Sequence, residues 1–178
     1  SFVTPTFFLD TANFSSLGNY DAFIARADST GKIKWIKKFG SEGREYISPA
    51  CVRSNGDIVF LATLTDSISF LDTSLSISDN DIVLSTLDEN GTLKWVKKFN
   101  INSPTLSSGI GIKINNNQNL VITGYFNGTA NFGNMQMTAN TTNDMFLLRF
   151  DTLGNCFSTF NFGKAYSNSV ALDNNDNI

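Results

Sequence analysis

The sequence predicts an all-β fold, built from about three repeated four-stranded antiparallel units of roughly 60 residues each. The first observation behind this prediction is a repeat: residues 31–40 read GKIKWIKKFG, and residues 91–100 read GTLKWVKKFN. The second is composition. The 16 Phe residues lie in short apolar runs separated by Ser, Thr and Asn, which is typical of short strands joined by polar turns. The third is that no helical periodicity extends beyond one or two turns.

The repeat covers the whole chain and begins at an internal point of the unit. Three segments that open with Asp align; they span residues 21–40, 81–100 and 144–163. A second shared block lies upstream of each; its copies span residues 1–16, 57–72 and 119–134. Residues 170–178 resemble residues 52–58, so the last copy stops where the first begins. We therefore predict one domain over residues 1–178, with repeats of roughly 1–56, 57–118 and 119–178 in circularly permuted phase.

Each unit is predicted to contain four strands. The first is an apolar run after an Asn-rich turn, at residues 58–64 and 120–126, which is typical of a well-buried strand. A short strand of alternating polarity follows, around residues 67–70 and 129–132. The third strand starts after the opening Asp of each aligned segment, and the fourth is the repeated decapeptide. Pro5 lies within a presumed strand of the first copy, which predicts an edge or a bulge there.

The third and fourth strands of each unit are predicted to be joined by a hairpin of the form Asp-x-x-Gly. An Asp side chain bonds the backbone of such a turn, and Gly supplies the positive φ that a tight hairpin requires. The residues concerned are Asp28 with Gly31, Asp88 with Gly91 and Asp151 with Gly154. Four-stranded antiparallel units repeated at this length are typical of β-propeller blades.

These blocks resemble a bacterial β-propeller repeat, the SBBP repeat. In that family the sequence of one blade is DAF-x-x-K-x-D-x-x-G-x-x-x-W, followed by a run that ends in TG. The residues that match it are Asp21, Ala22, Phe23, Asp28, Gly31, Trp35, Thr123 and Gly124. The third copy departs from it, because Ser158 stands where Trp35 and Trp95 stand. The same element is similar to the quinoprotein-type propeller repeat, which is the second candidate for the family of this chain. The SBBP resemblance implies a secreted bacterial context, in a large surface protein or as an accessory subunit of an envelope complex.

Trp35 and Trp95 lie among lysines, and this pattern has two interpretations. Basic residues interleaved with aromatic residues bind single-stranded nucleic acid through phosphate contacts and base stacking. On a strand, however, Trp35 and Phe39 share one face, which favours packing between units, while lysines on an outer edge strand discourage edge-to-edge pairing. The third copy lacks these lysines, and the net charge is −3. We therefore expect a structural role for the decapeptide and no nucleic-acid partner.

The repeated Asp residues also have two interpretations. Asp21, Asp81 and Asp144 would be calcium ligands together with their neighbours Asp79, Asn80 and Asn143. Calcium takes six to eight oxygen ligands, and a calcium loop concentrates several carboxylates within a dozen residues, a density that is missing here. We therefore expect these Asp residues to bond turns or backbone, and we predict no metal site. The segment DNNDN at residues 173–177 has the most calcium-like composition, and we predict a hairpin turn for it.

Composition excludes several classes of function. The chain contains no His, which removes Ser-His-Asp and Cys-His catalysis and His-ligated zinc. The carboxylate pairs Glu42–Glu45 and Asp88–Glu89 lie in polar, turn-like segments, where nothing indicates a raised pKa. We predict no catalytic residues, no cofactor and no enzyme. No apolar run approaches the roughly 20 residues of a membrane helix, so no span is expected. Cys51 and Cys156 leave a single long-range disulfide as an open alternative.

The leading functional hypothesis is a non-enzymatic binding propeller, extracellular or at the bacterial cell surface, that presents loops to a protein or glycan. One alternative is a structural repeat module of a larger surface or envelope-complex protein. Another is a lectin, which would need an aromatic residue in the same loop of every copy, although the counterparts of Tyr20 are Asn80 and Asn143. Because a blade must be covered on both faces, two copies would pair as a homodimer into a six-bladed ring, or the chain is part of a longer propeller.

Overall fold

The computed structural model describes residues 6–9, 12–16, 18–65, 68–70, 73–76, 81–102 and 108–178. All regular secondary structure in these residues is β-strand, and every pairing between strands is antiparallel. The strands are β1 (Thr6–Leu9), β2 (Ala12–Ser15), β3 (Ala22–Ala27), β4 (Ile33–Phe39), β5 (Glu45–Val52), β6 (Ile58–Leu64), β7 (Ile68–Phe70), β8 (Thr73–Leu75), β9 (Asp81–Leu87), β10 (Leu93–Asn102), β11 (Ser108–Ile114), β12 (Leu120–Phe126), β13 (Thr129–Phe132), β14 (Met135–Thr138), β15 (Asp144–Phe150) and β16 (Cys156–Lys164). The chain is therefore an all-β protein of antiparallel sheets, as the sequence predicts.

The two larger sheets repeat one strand order. One sheet runs β11-β12-β15-β16, and the other runs β5-β6-β9-β10 and continues past β10 into β13 and β14. Each of these four-stranded units carries a short hairpin, β7–β8 or β13–β14, inserted between its second and third strands. The pair β3–β4 is the third and fourth strand of a preceding unit. The repeating element is therefore a four-stranded sheet with one inserted hairpin.

The predicted membership of the four strands was wrong in one respect. The short strand at residues 129–132 belongs to the inserted hairpin, while the first strand of each sheet, β5 or β11, lies before the Asn-rich turn. These first strands were hard to identify because Pro49 and Gly109 interrupt their patterns. The strand register shifts at the same places, between Ile47 and Ala50 and between Gly109 and Gly111. The bulge expected at Pro5 lies outside the described residues.

The sheets stack face to face, with one hydrophobic core in each gap. Between the first and second units the core consists of Ala22, Phe39, Ile58, Phe60, Ala62, Leu64, Val83 and Leu87. Between the second and third it is larger and includes Val59, Leu61, Ile82, Leu84, Phe99, Leu120, Ile122, Phe126, Phe132, Phe146, Leu148 and Phe150. Strands β6 and β9 are buried at every position. Both strands carry apolar residues on both faces, because they have a sheet on each side.

The second and third units diverge from one side of the stack to the other. Their first strands, β5 and β11, are in close contact. Their fourth strands, β10 and β16, have the β13–β14 hairpin between them, since β13 pairs with the end of β10 and β14 contacts β16. The two sheets therefore form a wedge that is narrow at the first strands. The described strands form no closed ring or barrel.

The C-terminal segment, residues 165–178, covers the far face of the last sheet. Val170 packs against Val121 and Leu147, and the Ser167 hydroxyl donates to Thr123 Oγ1 at 2.8 Å. This segment occupies the same position on the third unit as β11 occupies on the second, and it contains a turn at residues 173–177. The described part of the chain contains no helix that would cross a membrane.

Candidate functional site

Among the described residues, one end of the stack, which we call the turn end, carries six tight turns of the same form. They lie at residues 28–32, 53–57, 88–92, 115–119, 151–155 and 173–177. In each turn the first residue donates its N–H to the carbonyl of the fifth, and the fourth donates to the carbonyl of the first. The fourth residue is left-handed in every case, with φ between 63° and 87°. The strand order places all six at one end, because first and third strands of a unit run in the same direction.

The predicted turn residues Asp28, Asp88 and Asp151 occupy the first position of three of these turns. Each carboxylate accepts hydrogen bonds from the backbone N–H groups of the third and fifth turn residues, at 2.8–3.1 Å. The hydrogen bond from the Thr92 backbone lowers the pKa of Asp88 below its ordinary value. Asp173 is held in the same way by Asn175 and Asn177, so the DNNDN segment forms a tight turn, although no paired strands flank it in the described residues. These carboxylates are engaged by their own backbone.

The predicted Gly and Trp residues of the repeat lie against each other across neighbouring units. A Cβ atom on Gly91 would lie 3.0 Å from the Trp35 ring, and one on Gly154 would lie 2.8 Å from the Trp95 ring. Gly31, in the first described turn, has no atom within 4 Å of such a Cβ. The Trp35 indole N–H also donates to the Glu89 carbonyl at 2.9 Å. Each Trp therefore docks on the turn of the next unit.

The opening residues Asp21, Asp81 and Asp144 lie at the opposite end from the turns, and all three are buried. Each contacts the side chain 17 residues further on, which we call the tether residue. The contacts are Lys38 Nζ to Asp21 at 3.0 Å, Lys98 Nζ to Asp81 at 3.5 Å, and Asn161 Nδ2 to Asp144 at 2.9 Å. Each tether residue also donates to a carbonyl at the end of a hairpin, that of Ser15, Ser76 or Thr138.

The tether residues were missed at the sequence level because the lysines had been interpreted as outward-facing edge residues. The signal that could have found them is their constant spacing from the opening Asp.

The outer edge itself is also covered, because Asn100, Ile101 and Asn102 of β10 pair with β13. Burial raises the pKa of Asp144, but the hydrogen bonds from Thr141, Asn140 and Asn161 outweigh it, so the pKa lies below its ordinary value.

No calcium arrangement forms around the opening Asp residues in the part of the chain that the structure describes. It contains no group of three or more His, Cys, Asp or Glu residues that would hold a metal ion. Asn143 donates its side-chain amide to Tyr166 Oη at 3.0 Å. The other two neighbours considered as ligands, Asp79 and Asn80, lie outside the described residues.

The remaining polar and thiol candidates also have structural surroundings. Glu45 accepts hydrogen bonds from the backbone and hydroxyl of Ser41, and the Glu89 carboxylate lies 3.5 Å from Arg26. Cys51 and Cys156 are both free thiols that pack against the larger core, and burial raises the pKa of Cys51 to about 11. A thiol with so high a pKa is a poor nucleophile near neutral pH.

The turns between first and second strands bond to one another from unit to unit. Gln118, the left-handed residue of its turn, accepts hydrogen bonds from the backbone N–H of Ser54 at 3.2 Å and from its hydroxyl at 3.1 Å. In the next turn along, Asp176 accepts one from the backbone N–H of Asn116 at 3.0 Å. The same pair of turn positions is joined in both places. We call this arrangement the turn ladder.

An open pocket of about 330 Å³ lies at the turn end, between the second and third units. Its lining comprises Arg53, Ser54, Asn55, Asp57, Thr86, Lys94, Trp95, Gln118, Thr152 and Leu153. Lys94 Nζ lies 2.7 Å from the Asp57 carboxylate, and Arg53 Nη1 donates to the Gln118 carbonyl. The sequence did not indicate this pocket, because its residues come from five separate segments. It brings charged and hydrogen-bonding groups together in one concave place at the turn end.

Comparison with known proteins found no match, either to a protein-family model or to a curated protein sequence.

Proposed function

We propose that this chain is a non-enzymatic interaction module, made of β-propeller blades, that binds a partner at its turn end. The observation that carries the proposal is the hydrogen bonding within and between the turns at that end. Six turns are fixed by their own side chains and backbone, and the turn ladder joins turns of successive units. A surface that is already ordered loses little conformational entropy on binding. The repeated residues serve packing and turn geometry, which leaves the exposed turn positions for recognition.

The propeller part of the proposal is supported by the wedge between the second and third units. Blades arranged around an axis are close at their first strands and far apart at their fourth strands, which matches β5 with β11 and β10 with β16. Residues 165–172 lie on the third unit as a further first strand would, and they end in the same turn. A second strand from another copy, in a homodimer, or from a longer chain would complete that unit.

The native mass in solution tests the assembly. Light scattering across a size-exclusion peak is expected to give twice the mass of the 19.5 kDa chain, as for a six-bladed ring of two copies. A monomer would contradict the homodimer and leave the longer chain as the form of the propeller.

The partner is proposed to be a protein or a glycan, and the location extracellular or at the bacterial cell surface. The location rests on the resemblance of the repeat to SBBP blades. A lectin that uses Tyr20 is disfavoured, because its ring packs against Tyr46 at 5.6 Å and lies under the Arg44 guanidinium. A purely structural module would have the same blades with no binding at either end.

Binding to a glycan array, with matched variants at the two ends, tests the turn end as an interaction surface. Asn117 is exposed at the third position of a turn, and Asn140 is exposed at the opposite end, beside Asp144. Asn117→Trp should reduce binding by obstructing the turn end, whereas Asn140→Trp should leave it unchanged. Equal effects of the two substitutions, or no binding by the unmodified chain, would contradict a glycan-binding turn end.

A further inference from the structure

Two polar groups in the turn-end pocket are buried without a hydrogen-bond partner. Arg53 is 7% exposed and Thr86 is 1% exposed, and both line the pocket. Among the described residues nothing bonds Arg53 Nη2 or Thr86 Oγ1. A buried polar group without a partner is unfavourable, because it has lost its bonds to water and gained none, so two in one concave place indicate a ligand site. Arg53 is held in position by the bond from its other terminal nitrogen to the Gln118 carbonyl.

The charges around the pocket favour a ligand with a single negative charge. Arg53 and Lys94 are cationic, and Asp57 cancels one of them through its 2.7 Å ion pair with Lys94. Burial lowers the pKa of the Arg53 guanidinium, and the charges of Asp57 and Asp151 oppose this shift. A phosphate group, with a charge of about −1.5 to −2, would meet those two carboxylates as well as the arginine. A carboxylate matches the planar fork of an arginine and brings one charge.

The shape and remaining lining of the pocket favour a sugar ring behind that carboxylate. The volume of about 330 Å³ is at the small end of the range for ligand pockets, which suits one ring. Trp95 and Leu153 provide apolar walls, and the Thr152 side chain is exposed at the rim. A sugar ring presents apolar C–H faces and hydroxyl edges, which such mixed walls accommodate. The pocket is open, so that neighbouring sugars of a glycan would extend into solvent.

We propose that the pocket binds a uronic acid residue, a sugar ring that carries one carboxylate. The free Arg53 Nη2 bonds the carboxylate, and Thr86 Oγ1 bonds a ligand oxygen at the base of the pocket. This inference rests on the proposed function, since it identifies the kind of glycan that the turn end recognises.

Titration of the chain with glucuronic acid, followed by NMR, tests the proposal. The indole N–H signal of Trp95 should shift on binding, while that of Trp35, which is bonded to the Glu89 carbonyl, serves as the internal reference. Glucose, acetate and inorganic phosphate are the comparison ligands. Glucuronic acid should bind more tightly than each of them. Equal affinity for glucose would overturn the role of the carboxylate, equal affinity for acetate would overturn the sugar, and tighter binding of phosphate would overturn the single charge.

A pair of hydroxyl deletions on one strand supplies a matched control. Ser85 and Thr86 are neighbours in β9, both buried, and neither hydroxyl has a partner among the described residues. Adjacent strand residues face opposite sides, and of these two only Thr86 lines the pocket. Thr86→Val should weaken glucuronic acid binding about 3- to 10-fold, and Ser85→Ala should not change it. Neither substitution should destabilise the fold, since each removes an unpartnered polar group. Equal affinity in the two variants would overturn the assignment.

The outcomes separate this inference from the proposed function. If glucuronic acid does not bind, but array binding persists and is reduced by Asn117→Trp, the pocket assignment fails and the interacting turn end remains. If array binding is also absent, the pocket assignment and the glycan-binding turn end both fail, and a protein is left as the partner of the turn end. Arg53→Lys, which keeps the charge and loses the planar fork, should weaken glucuronic acid binding roughly 10-fold or more. Unchanged affinity in that variant would contradict the role of Arg53.

Discussion

The glycines at the fourth position of the turns differ in what surrounds them. Gly31 and Gly154 both have positive φ, at 87° and 78°, but Gly31 has open space where Gly154 has the Trp95 ring. We predict that Gly31→Ala lowers the free energy of unfolding by about 1 kcal/mol, through backbone strain alone. Gly154→Ala should lower it by about 2–4 kcal/mol, because the ring must also move. Urea unfolding of both variants checks the difference, and equal losses would show that the Trp contact contributes nothing.

The depressed pKa of the buried Asp144 makes the stability of the fold depend on pH. Its pKa is depressed in the folded chain relative to an ordinary value of 3.8, so it stabilises the fold fully above that value. That contribution is lost as the pH falls through the folded pKa. The turn residues Asp28, Asp88, Asp151 and Asp173 shift in the same direction. We therefore expect the urea midpoint to change little between about pH 7 and 5 and to fall below about pH 4.

Asp144→Asn isolates the contribution of this residue to the acid sensitivity. The amide cannot accept all the hydrogen bonds from Asn140, Thr141 and Asn161, so the variant should lose on the order of 1–3 kcal/mol at neutral pH. Its stability should also fall less steeply than that of the unmodified chain below about pH 4. The same urea titration at each pH measures both effects. A parallel pH dependence in the two proteins would contradict a depressed pKa for Asp144.

At the scale of elements, the sequence determined the hairpins better than the sheets. The Asp-x-x-Gly turns were predicted because the residues that form them are three positions apart and use local bonds, as Asp88 and Gly91 show. The pairs Trp95–Gly154 and Ser54–Gln118 join residues about 60 positions apart, and nothing local specifies them. The inserted hairpin was assigned to the main sheet for the same reason. Short strands of alternating polarity look alike whether they join a sheet or stand apart from it.

The candidate pocket shows the same limit at the level of a site. Arg53, Thr86 and Lys94 carry no common motif and come from three separate segments, and Leu153 comes from a fourth. In the sequence, Lys94 was visible only as an exposed lysine of a repeated decapeptide, and its ion pair with Asp57 was not. Arg53 Nη2 becomes a buried nitrogen without a hydrogen-bond partner only when the second and third units are stacked. A site of this kind is a property of two adjacent units.

The turn ladder leads to a prediction about Gln118, in the turn at residues 115–119. Gln118 is left-handed at φ 64°, which disfavours a non-glycine residue, and its side chain bonds Ser54 of the previous turn. Gln118→Ala keeps the strain and loses the bonds, so we expect a loss of about 0.5–1.5 kcal/mol. Gln118→Gly loses the bonds but relieves the strain, so it should be within about 0.5 kcal/mol of the unmodified chain. Urea unfolding checks the order, and a more stable Gln118→Ala than Gln118→Gly would contradict the argument.

At the scale of the whole molecule, stability comes from stacking successive units, and the units are not equally covered. The middle sheet has the first unit on one face and the third on the other, so β6 and β9 are buried at every position. The pair β3–β4 is packed on the second unit through Ala22 and Phe39 and is otherwise half-buried or exposed. In a linear array, units with one neighbour open more readily than units with two.

Hydrogen exchange measured by mass spectrometry on the single chain, at a concentration too low for two copies to pair, should therefore resolve the stack. Amides of β6 and β9 should exchange slowest, and those of β3 and β4 at least ~10-fold faster, because the first unit can open while the second and third remain packed. Phe39→Ala, which removes a ring from the first gap, should accelerate exchange in β3 and β4 and leave β12 and β15 nearly unchanged. Uniform acceleration in all strands would mean that the units unfold as one cooperative body. The nearest-neighbour stack would then have to be replaced by a single closed structure, in which the first and last units also support each other.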